Sequence, residues 1–285
     1  MSAKPREGPG GWLITGCSTG IGRHIAEAAL EKGHKVAVTA RKPEAVEDIV
    51  SAHPEQAIAL ALDVTKRDQV DAAVRETERS FGGINVLVNN AGYGYMAAVE
   101  EGEDDEIRAL FDTNYFGAVA MIQAVLPGMR GRGRGHVINI SSMTGLVANP
   151  PNVFYSSTKF ALEALTEGLS KEVGPLGLHV TAIEPGAFRT DWSKRSMREA
   201  SNPIDAYADT VGARKALIKL AGDRFPGDPR RIADAVLMVS ERKHPPLHLL
   251  LGHDVYKAYR EKLRGLMASV EEWKDVTLDV NFPSK

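Results

Sequence analysis

The chain contains 285 residues, carries a formal net charge of -2 and has a single cysteine, Cys17. This near-neutral balance gives no reason to expect nucleic acid or another polyanion as a partner. One cysteine cannot form an internal disulfide, which favours a reducing compartment and a cytoplasmic protein. The first eleven residues contain no signal-peptide core, and no apolar run approaches the roughly 20 residues of a membrane helix. We therefore expect no membrane attachment.

The first informative feature is a glycine-rich turn between a short apolar segment and a helical pattern. Residues 12–15 are apolar enough for a buried strand, and Gly16, Gly20 and Gly22 follow them. Glycines allow close backbone approach, and a helix N-terminus offers free N–H groups, so this arrangement suits a pyrophosphate. The spacing differs from the common G-x-G-x-x-G fingerprint, and a plain loop is the alternative. Cys17 lies inside the turn, where we expect it to be a packing residue.

Positive charge follows the second predicted strand, Lys35–Ala40. Arg41 and Lys42 come directly after it, and the first carboxylate is Glu44. A carboxylate about 20 residues after the glycines would bind the ribose 2′-OH of NAD, whereas arginine binds a 2′-phosphate through two parallel hydrogen bonds. The pattern favours NADP(H) over NAD(H). An ordinary solvated basic turn is the alternative interpretation.

The remaining predicted elements alternate between strands and helices. Further strands are predicted at 57–62, 85–88, 136–141 and 178–183, and helices at about 43–51, 66–81, 106–129 and 153–173. This alternation is typical of a doubly wound parallel sheet with right-handed crossovers. We predict a Rossmann-type α/β fold with about seven strands, in a single domain that covers residues 1–285.

Two polar residues allow two interpretations each. Asp63 follows a strand, so it could face a ligand at the sheet edge or cap the helix that begins near Lys66. Asn114 lies in the middle of a predicted helix, where local hydrogen bonding could bend the chain. On its own, Asn114 is read as a tolerated polar residue.

A tyrosine and a lysine four positions apart carry the most specific chemistry. On a helix, Tyr155 and Lys159 share one face. A nearby ammonium favours the phenolate and should lower the tyrosine pKa toward the range of efficient proton transfer. Ser142, thirteen positions before the tyrosine, could hold a substrate oxygen against it.

Five motifs occur in an order and spacing that are typical of one family. They are Thr15-Gly16-x-x-x-Gly20-x-Gly22, Asn89-Asn90-Ala91-Gly92, Asn114, Ser142 and Tyr155-x-x-x-Lys159. Together with Pro185, Gly186 and Thr190, they resemble the short-chain dehydrogenase/reductase family over about residues 12–192. The resemblance implies an NADP(H)-dependent oxidoreductase that interconverts a ketone or aldehyde and an alcohol.

The resemblance also implies a role for each matching residue. Tyr155 would be the general acid and base, and Lys159 would lower its pKa and bind the nicotinamide ribose. Ser142 would orient the substrate oxygen, and Asn114 would hold a water that links Lys159 to solvent. The implied cofactor-binding residues are Gly16, Ser18, Thr19, Gly20, Ile21, Gly22, Arg41, Asp63, Val64, Asn90, Ala91, Gly92, Tyr155, Lys159, Pro185, Gly186, Phe188 and Thr190. No metal is implied, and the eight histidines form no convincing ligand pattern.

The last third of the chain bears on substrate and assembly. Residues 190–223 correspond to a helical substrate lid, and 254–285 to a C-terminal extension that looks more like the branch of 17β-hydroxysteroid and retinol dehydrogenases. Apolar residues of the lid, together with others from earlier in the chain, predict either a substrate pocket or the packing face of an amphipathic helix. They are Tyr93, Phe188, Trp192, Met197, Ile204, Tyr207 and Val211. We expect a small-molecule carbonyl or alcohol substrate that is fairly apolar, and a homo-oligomer, either dimer or tetramer.

Other functions remain as alternatives. The chain could be a catalytically silent NADP(H)-sensing regulator, although such a protein would be expected to lose Tyr155, Lys159 or Ser142. A 3-oxoacyl-carrier-protein-type ketoreductase is a second alternative. Sugar-nucleotide epimerase chemistry is disfavoured by the glycine spacing and by the lack of an extended substrate domain.

Overall fold

The computed structural model describes residues 11–190, 195–221 and 224–282. Its centre is a seven-stranded sheet in the order β3-β2-β1-β4-β6-β7-β9, in which every neighbouring pair is parallel. The strands are β1 (Gly11–Ile14), β2 (Lys35–Ala40), β3 (Ala57–Ala61), β4 (Ile84–Asn89), β6 (Gly135–Ile140), β7 (Leu178–Pro185) and β9 (His248–Leu251). The predicted Rossmann-type sheet is therefore confirmed.

Helices cover both faces of the sheet, because alternate strand residues point to opposite sides. The described helices are α1 (Gly20–Glu31), α2 (Glu47–Ala52), α3 (Arg67–Phe81), α4 (Asp104–Phe111), α5 (Gly117–Arg132), α6 (Val153–Val173), α7 (Ala213–Ala221), α8 (Pro229–Ser240), α9 (His253–Glu272) and α10 (Lys274–Leu278). In β1, Trp12 and Ile14 join the apolar core under α1 and α8, whereas Leu13 joins the core under α3, α5 and α6. This double layer explains the continuous apolar runs of the central strands.

A second, two-stranded sheet connects the end of β4 to the predicted lid. Strand β5 (Gly94–Met96) pairs in parallel with β8 (Met197–Glu199), with Gly94 opposite Met197. After β8 come a 3-10 turn at Asp205–Tyr207, a π turn at Ala208–Gly212 and helix α7. Strands of three residues leave too short a pattern for sequence periodicity, and this pair was not predicted.

The predicted helix at 106–129 is two helices joined by a π turn. Helix α4 passes into a π turn at Asp112–Phe116 and then into α5. By length and composition, the segment Asp104–Arg132 is able to cross a membrane, contrary to our expectation that no segment would be. A core helix of a globular protein meets the same two criteria. The buried residues Met121, Val125 and Met129 of this segment pack against the sheet. We therefore interpret it as a core helix.

Candidate active site

The glycine turn between β1 and α1 has the backbone shape that its sequence predicts. Gly16 and Gly20 adopt φ angles of 70° and 64°, in the left-handed region that favours glycine. Gly22 lies in the first turn of α1, where a Cβ atom would stand 2.5 Å from the Gly16 carbonyl oxygen and against the Asn90 side chain. Gly16 therefore shapes the tight turn before α1, and Gly20 and Gly22 lie in the first turn of that helix, an arrangement that suits an anionic pyrophosphate.

Asn90 and Thr15 hold this turn against β4. The Asn90 side-chain amide donates to the carbonyl oxygens of Thr15 and Gly16, both at 2.9 Å. The Thr15 hydroxyl accepts from the backbone N–H groups of Asn90 and Ala91, also at 2.9 Å. Asn90 thus supports the cradle from behind, and Thr15, which the sequence analysis quoted in the glycine motif without a role, fixes the turn to the segment after β4. The signal for this role was its position directly before the first glycine.

Replacing Gly22 by alanine should destabilise the fold and weaken cofactor binding together. The added methyl has no space between Gly16 and Asn90, so we expect a loss of about 1–3 kcal/mol in the free energy of unfolding. Gly168→Ala is the matched control, because Gly168 lies exposed within α6 with nothing within 4 Å of the added atom. That variant should gain about 0.5–1 kcal/mol. Denaturant titrations measure both values, and equal stability of the two variants would contradict the tight turn.

Cys17 and Arg41 have contrasting environments. Cys17 is fully buried, its thiol donates to the Ile14 carbonyl oxygen at 3.2 Å, and burial raises its pKa to about 12. A buried thiol with that pKa is a packing group, as predicted. Arg41 and Lys42 are exposed directly after β2, on the strand next to the glycine turn. Their position is compatible with a phosphate on the adenosine ribose.

Asp63 and Val64 occupy the turn after β3. The Asp63 carboxylate accepts from the Thr65 backbone N–H at 3.0 Å and from the Thr65 hydroxyl at 2.7 Å. Asp63 therefore orders the turn before α3, whereas Lys66 occupies the N-cap position without a side-chain cap. Val64 is buried and packs against Gly117 in α5. Contacts of this pair with an adenine ring stay a prediction.

The predicted catalytic residues converge at the C-terminal end of β6. Ser142 follows that strand, and Tyr155 and Lys159 lie one turn apart in α6, with the Lys159 ammonium 5.7 Å from the Tyr155 ring centre. Lys159 is buried, with 5% of its surface exposed, and its ammonium donates to the Ile140 carbonyl oxygen at 2.8 Å. The Ser142 hydroxyl accepts from the Thr144 N–H at 3.2 Å. The fold thus brings Ser142, Tyr155 and Lys159 together in one polar cluster.

The pKa of Tyr155 shifts in the direction opposite to our expectation. Burial raises it, and a hydrogen bond with Ser142 only partly opposes this effect. Burial also lowers the pKa of Lys159 to about 8. The expectation considered only the attraction between phenolate and ammonium and was wrong on direction, because removing both groups from water penalises both charged forms.

Asn114 is buried in the π turn between α4 and α5. Its side-chain oxygen accepts from the Tyr93 N–H at 3.0 Å, and its amide donates to the Tyr93 carbonyl oxygen at 2.9 Å and to the Thr158 hydroxyl at 3.2 Å. These bonds attach the irregular helix to the segment after β4. Asn114, Lys159 and Thr15 also line a cavity of about 10 Å³, near the minimum for one water molecule. The interpretation of Asn114 as merely tolerated was therefore too modest.

The segment after β7 is held by the start of α9. The Gly186 N–H donates to the Leu251 carbonyl oxygen at 2.9 Å, and the Ala187 N–H donates to the Asp254 carboxylate at 2.7 Å. Phe188 packs on the core beside α1, and the Thr190 Cβ atom is 4.0 Å from the position that a Cβ atom on Gly20 would occupy. Pro185 to Thr190 therefore lie near the glycine turn. Asp254 was missed because its partner is 67 positions away in the chain.

The predicted pocket residues are only partly brought together. Among the described residues, Tyr93 packs beside Tyr155. Met197 lies in strand β8, opposite Gly94 in β5, whereas Val211 is buried within the lid segment itself. Val211 thus fits the packing alternative. Trp192 lies outside the described residues, as do 191–194 generally.

A cluster of titratable residues behind α6 escaped the sequence analysis. Glu163, Glu184 and His248 lie on α6, β7 and β9, and their ligand atoms are all within 4.8 Å of one another. From the sequence we expected no convincing ligand pattern among the histidines, and these three residues are a cluster whose atoms could hold an ion. The three residues are far apart in sequence, and only the neighbouring placement of β7 and β9 joins them.

Comparison with known proteins decides the family. The short chain dehydrogenase family model matches residues 12–201. The chain belongs to the short-chain dehydrogenase/reductase family. It is an NAD(P)-dependent oxidoreductase, and related folds have been solved with NADP and with NAD bound.

Three relatives illustrate the match. Oxidoreductase BOA17 of Botryotinia fuckeliana is 39% identical over 268 residues, covering 94% of this chain and 97% of that protein. The 3-ketodihydrosphingosine reductase of Bacteroides thetaiotaomicron is 37% identical over 241 residues, covering 84% and 87%. A short-chain dehydrogenase structure from Streptomyces avermitilis superposes with a TM-score of 0.91 at 40% identity, covering 96% and 100%.

Proposed function

We propose that the protein is an NADP(H)-dependent reductase of apolar ketones or aldehydes, also able to catalyse the reverse alcohol oxidation, in which Tyr155 transfers the proton. The observation that carries this proposal is the convergence of Tyr155, Lys159 and Ser142 at the end of β6. A nicotinamide cofactor, when bound, supplies or accepts the hydride. Tyr155 would donate its phenolic proton to the carbonyl oxygen that Ser142 holds.

The proton that Tyr155 gives up must be replaced. The buried Lys159 and Asn114 border the same water-sized cavity, which supports the role of Asn114 in holding a water between Lys159 and solvent. Lys159, with its pKa near 8, could exchange a proton close to neutral pH. Asn114 would then be a positioning residue, because it acts through the water and not on the substrate.

Three observations support NADP(H) and an apolar substrate. Arg41 is exposed beside the cradle and is free of carboxylate partners in the described ranges, as an arginine that binds a 2′-phosphate should be. The similar Bacteroides protein is a 3-ketodihydrosphingosine reductase by name, which means that its substrate is a ketone. The lid, which we place at about 190–223, presents Met197 and Ile204 as half-buried apolar residues.

We further propose a single domain, a cytoplasmic location and a homo-oligomer of this chain. Helix α9 buries only Val255, so most of the C-terminal extension lacks packing partners among the residues that the structure describes. Its exposed apolar residues are Tyr256, Leu263, Leu266, Met267, Val270, Trp273, Val276, Leu278, Val280 and Phe282. An exposed apolar surface of this extent is typical of an interface.

Turnover with a series of ketones tests the proposed reaction. Purified protein should oxidise NADPH in the presence of long-chain 3-keto compounds and should show a lower KM as the alkyl chain of the ketone lengthens. The matched comparison uses short polar ketones under the same conditions. Absence of NADPH oxidation with every ketone, despite measured NADPH binding, would favour the sensing alternative instead.

A further inference from the structure

We propose that Glu163, Glu184 and His248 form a binding site for one divalent metal ion of the zinc type. The His248 Nδ1 atom is 2.8 Å from Glu184 Oε1 and 3.4 Å from Glu163 Oε2. In a tetrahedral zinc site with bonds of about 2.0–2.2 Å, neighbouring ligand atoms stand roughly 3.4 Å apart. The His248–Glu163 distance already has that spacing, the His248–Glu184 contact is a hydrogen bond that a bound ion would replace, and all three ligand atoms lie within 4.8 Å of one another.

Among the described residues, the two buried carboxylates share a single ionisable partner within 4 Å, the His248 imidazole. The Glu184 side chain is 0% exposed and that of Glu163 is 10% exposed. Three of their four oxygens, Glu163 Oε1 and Oε2 and Glu184 Oε2, have no hydrogen bond of normal geometry within the described ranges, although the Ser141 hydroxyl and the Leu249 N–H lie close enough to the two carboxyl groups to lower their pKa values. Lys159, one turn earlier on α6, donates to the Ile140 carbonyl oxygen instead. Buried carboxylates are stable when they are paired or coordinate a metal, and a cation held between them would supply the missing positive charge and coordinate Glu163 Oε2.

The donor types select the class of ion. Imidazole nitrogen together with carboxylate oxygen suits Zn²⁺ and similar transition-metal ions, whereas Mg²⁺ and Ca²⁺ prefer oxygen ligands alone. Nδ1 of His248 would exchange its proton for the ion. The His248 side chain is 39% exposed, so it provides an entrance from solvent to the two buried carboxylates. A water molecule would complete four ligands.

The location gives the ion a consequence for the candidate active site. Glu163 follows Lys159 by one turn on α6, and Glu184 comes directly before Pro185 and Gly186 at the end of β7. An ion bound here would connect α6, β7 and β9, the elements that carry the proton-transferring residues and the segment near the cofactor cradle. Its effect would be on positioning and stability, with no part in proton or hydride transfer.

Metal titration of the full-length protein tests the site without using turnover. After treatment with a chelator and its removal, Co²⁺ should bind saturably at one ion per chain with the visible absorption of a four-coordinate site, and Zn²⁺ should displace it. Zn²⁺ should also raise the Tm. Glu184→Gln and His248→Asn should each weaken binding at least ~10-fold, about 1.4 kcal/mol. His248 is partly exposed, so its replacement is expected to fold even if the Glu184 variant does not.

A second histidine pair provides the control. The rings of His136 and His179 lie 5.9 Å apart on neighbouring strands, so His179→Asn removes a different potential ligand and should leave Co²⁺ binding unchanged. The absence of saturable binding would overturn the proposal and favour a proton shared by the two carboxyl groups. Binding that survives both ligand variants, or that selects Mg²⁺ over Zn²⁺, would overturn it as well. NADPH binding, measured separately, reports on the proposed function independently.

Discussion

The Tyr155→Phe variant is expected to lose ketone reduction by at least ~10²–10⁴-fold in kcat, the usual contribution of general acid–base catalysis. The phenolic hydroxyl is the proton donor in the proposed reaction, and it is the only atom that this substitution removes. The ring is 7% exposed, and its packing against Tyr95 and Leu110 remains in the variant. NADPH affinity should therefore fall much less than kcat, even though Tyr155 is also an implied cofactor contact, and a direct NADPH titration beside steady-state turnover separates the two quantities.

Tyr256→Phe is the matched control for this experiment. Tyr256 is 56% exposed on α9, and its hydroxyl accepts only from Arg260 among the described residues. We expect wild-type turnover from that variant. Unchanged kcat in Tyr155→Phe, with thermal stability and NADPH affinity also unchanged, would contradict the role of Tyr155 and with it the proposed mechanism.

The Arg41→Ala variant should reverse the preference between the two nicotinamide cofactors. Arg41 is exposed directly after β2, and a hydrogen-bonded contact with a charged phosphate is worth about 1.5–3 kcal/mol. We therefore expect NADPH affinity to fall by ~10–150-fold while NADH affinity stays nearly constant. Titrations that follow the fluorescence of the reduced cofactors give both dissociation constants, and rising salt should weaken NADPH binding to the wild type more than to the variant.

Arg75→Ala controls for the loss of positive charge. Arg75 is an exposed arginine on α3, away from the glycine turn in sequence, and its removal changes the net charge by the same amount. We expect the NADPH affinity of that variant to remain close to wild type. Equal NADPH and NADH affinities in the wild type would make Arg41 an ordinary surface charge and would end the NADP(H) proposal.

Local sequence patterns were sufficient to predict the fold. Buried parallel strands produce continuous apolar runs, and glycine is the residue that a left-handed turn favours, so residues 12–22 read correctly as strand, turn and helix. The helix carrying Tyr155 begins at Val153 and ends at Val173, as its pattern predicts. The spacing of Tyr155 and Lys159 also depends only on helix geometry. These predictions hold because each depends on a few consecutive residues.

Local sequence patterns did not predict which groups are buried or which distant segments are in contact. The raised pKa of Tyr155 depends on the atoms that enclose the ring, which no spacing of residues specifies. The π turn at Asn114 depends on hydrogen bonds to Tyr93, and the small β5–β8 sheet depends on how the lid segment returns to the site. Each of these features needs the positions of at least two elements that are remote in sequence.

The sequence by itself determined the Rossmann-type sheet, the glycine turn and the membership of Ser142, Tyr155 and Lys159 in one motif set. Only the tertiary structure placed Glu163, Glu184 and His248 within ligand distance and left the apolar residues of α9 exposed. The physical reason is that secondary structure responds to local backbone and side-chain preferences, whereas desolvation and ion coordination are set by which elements the folded sheet places side by side.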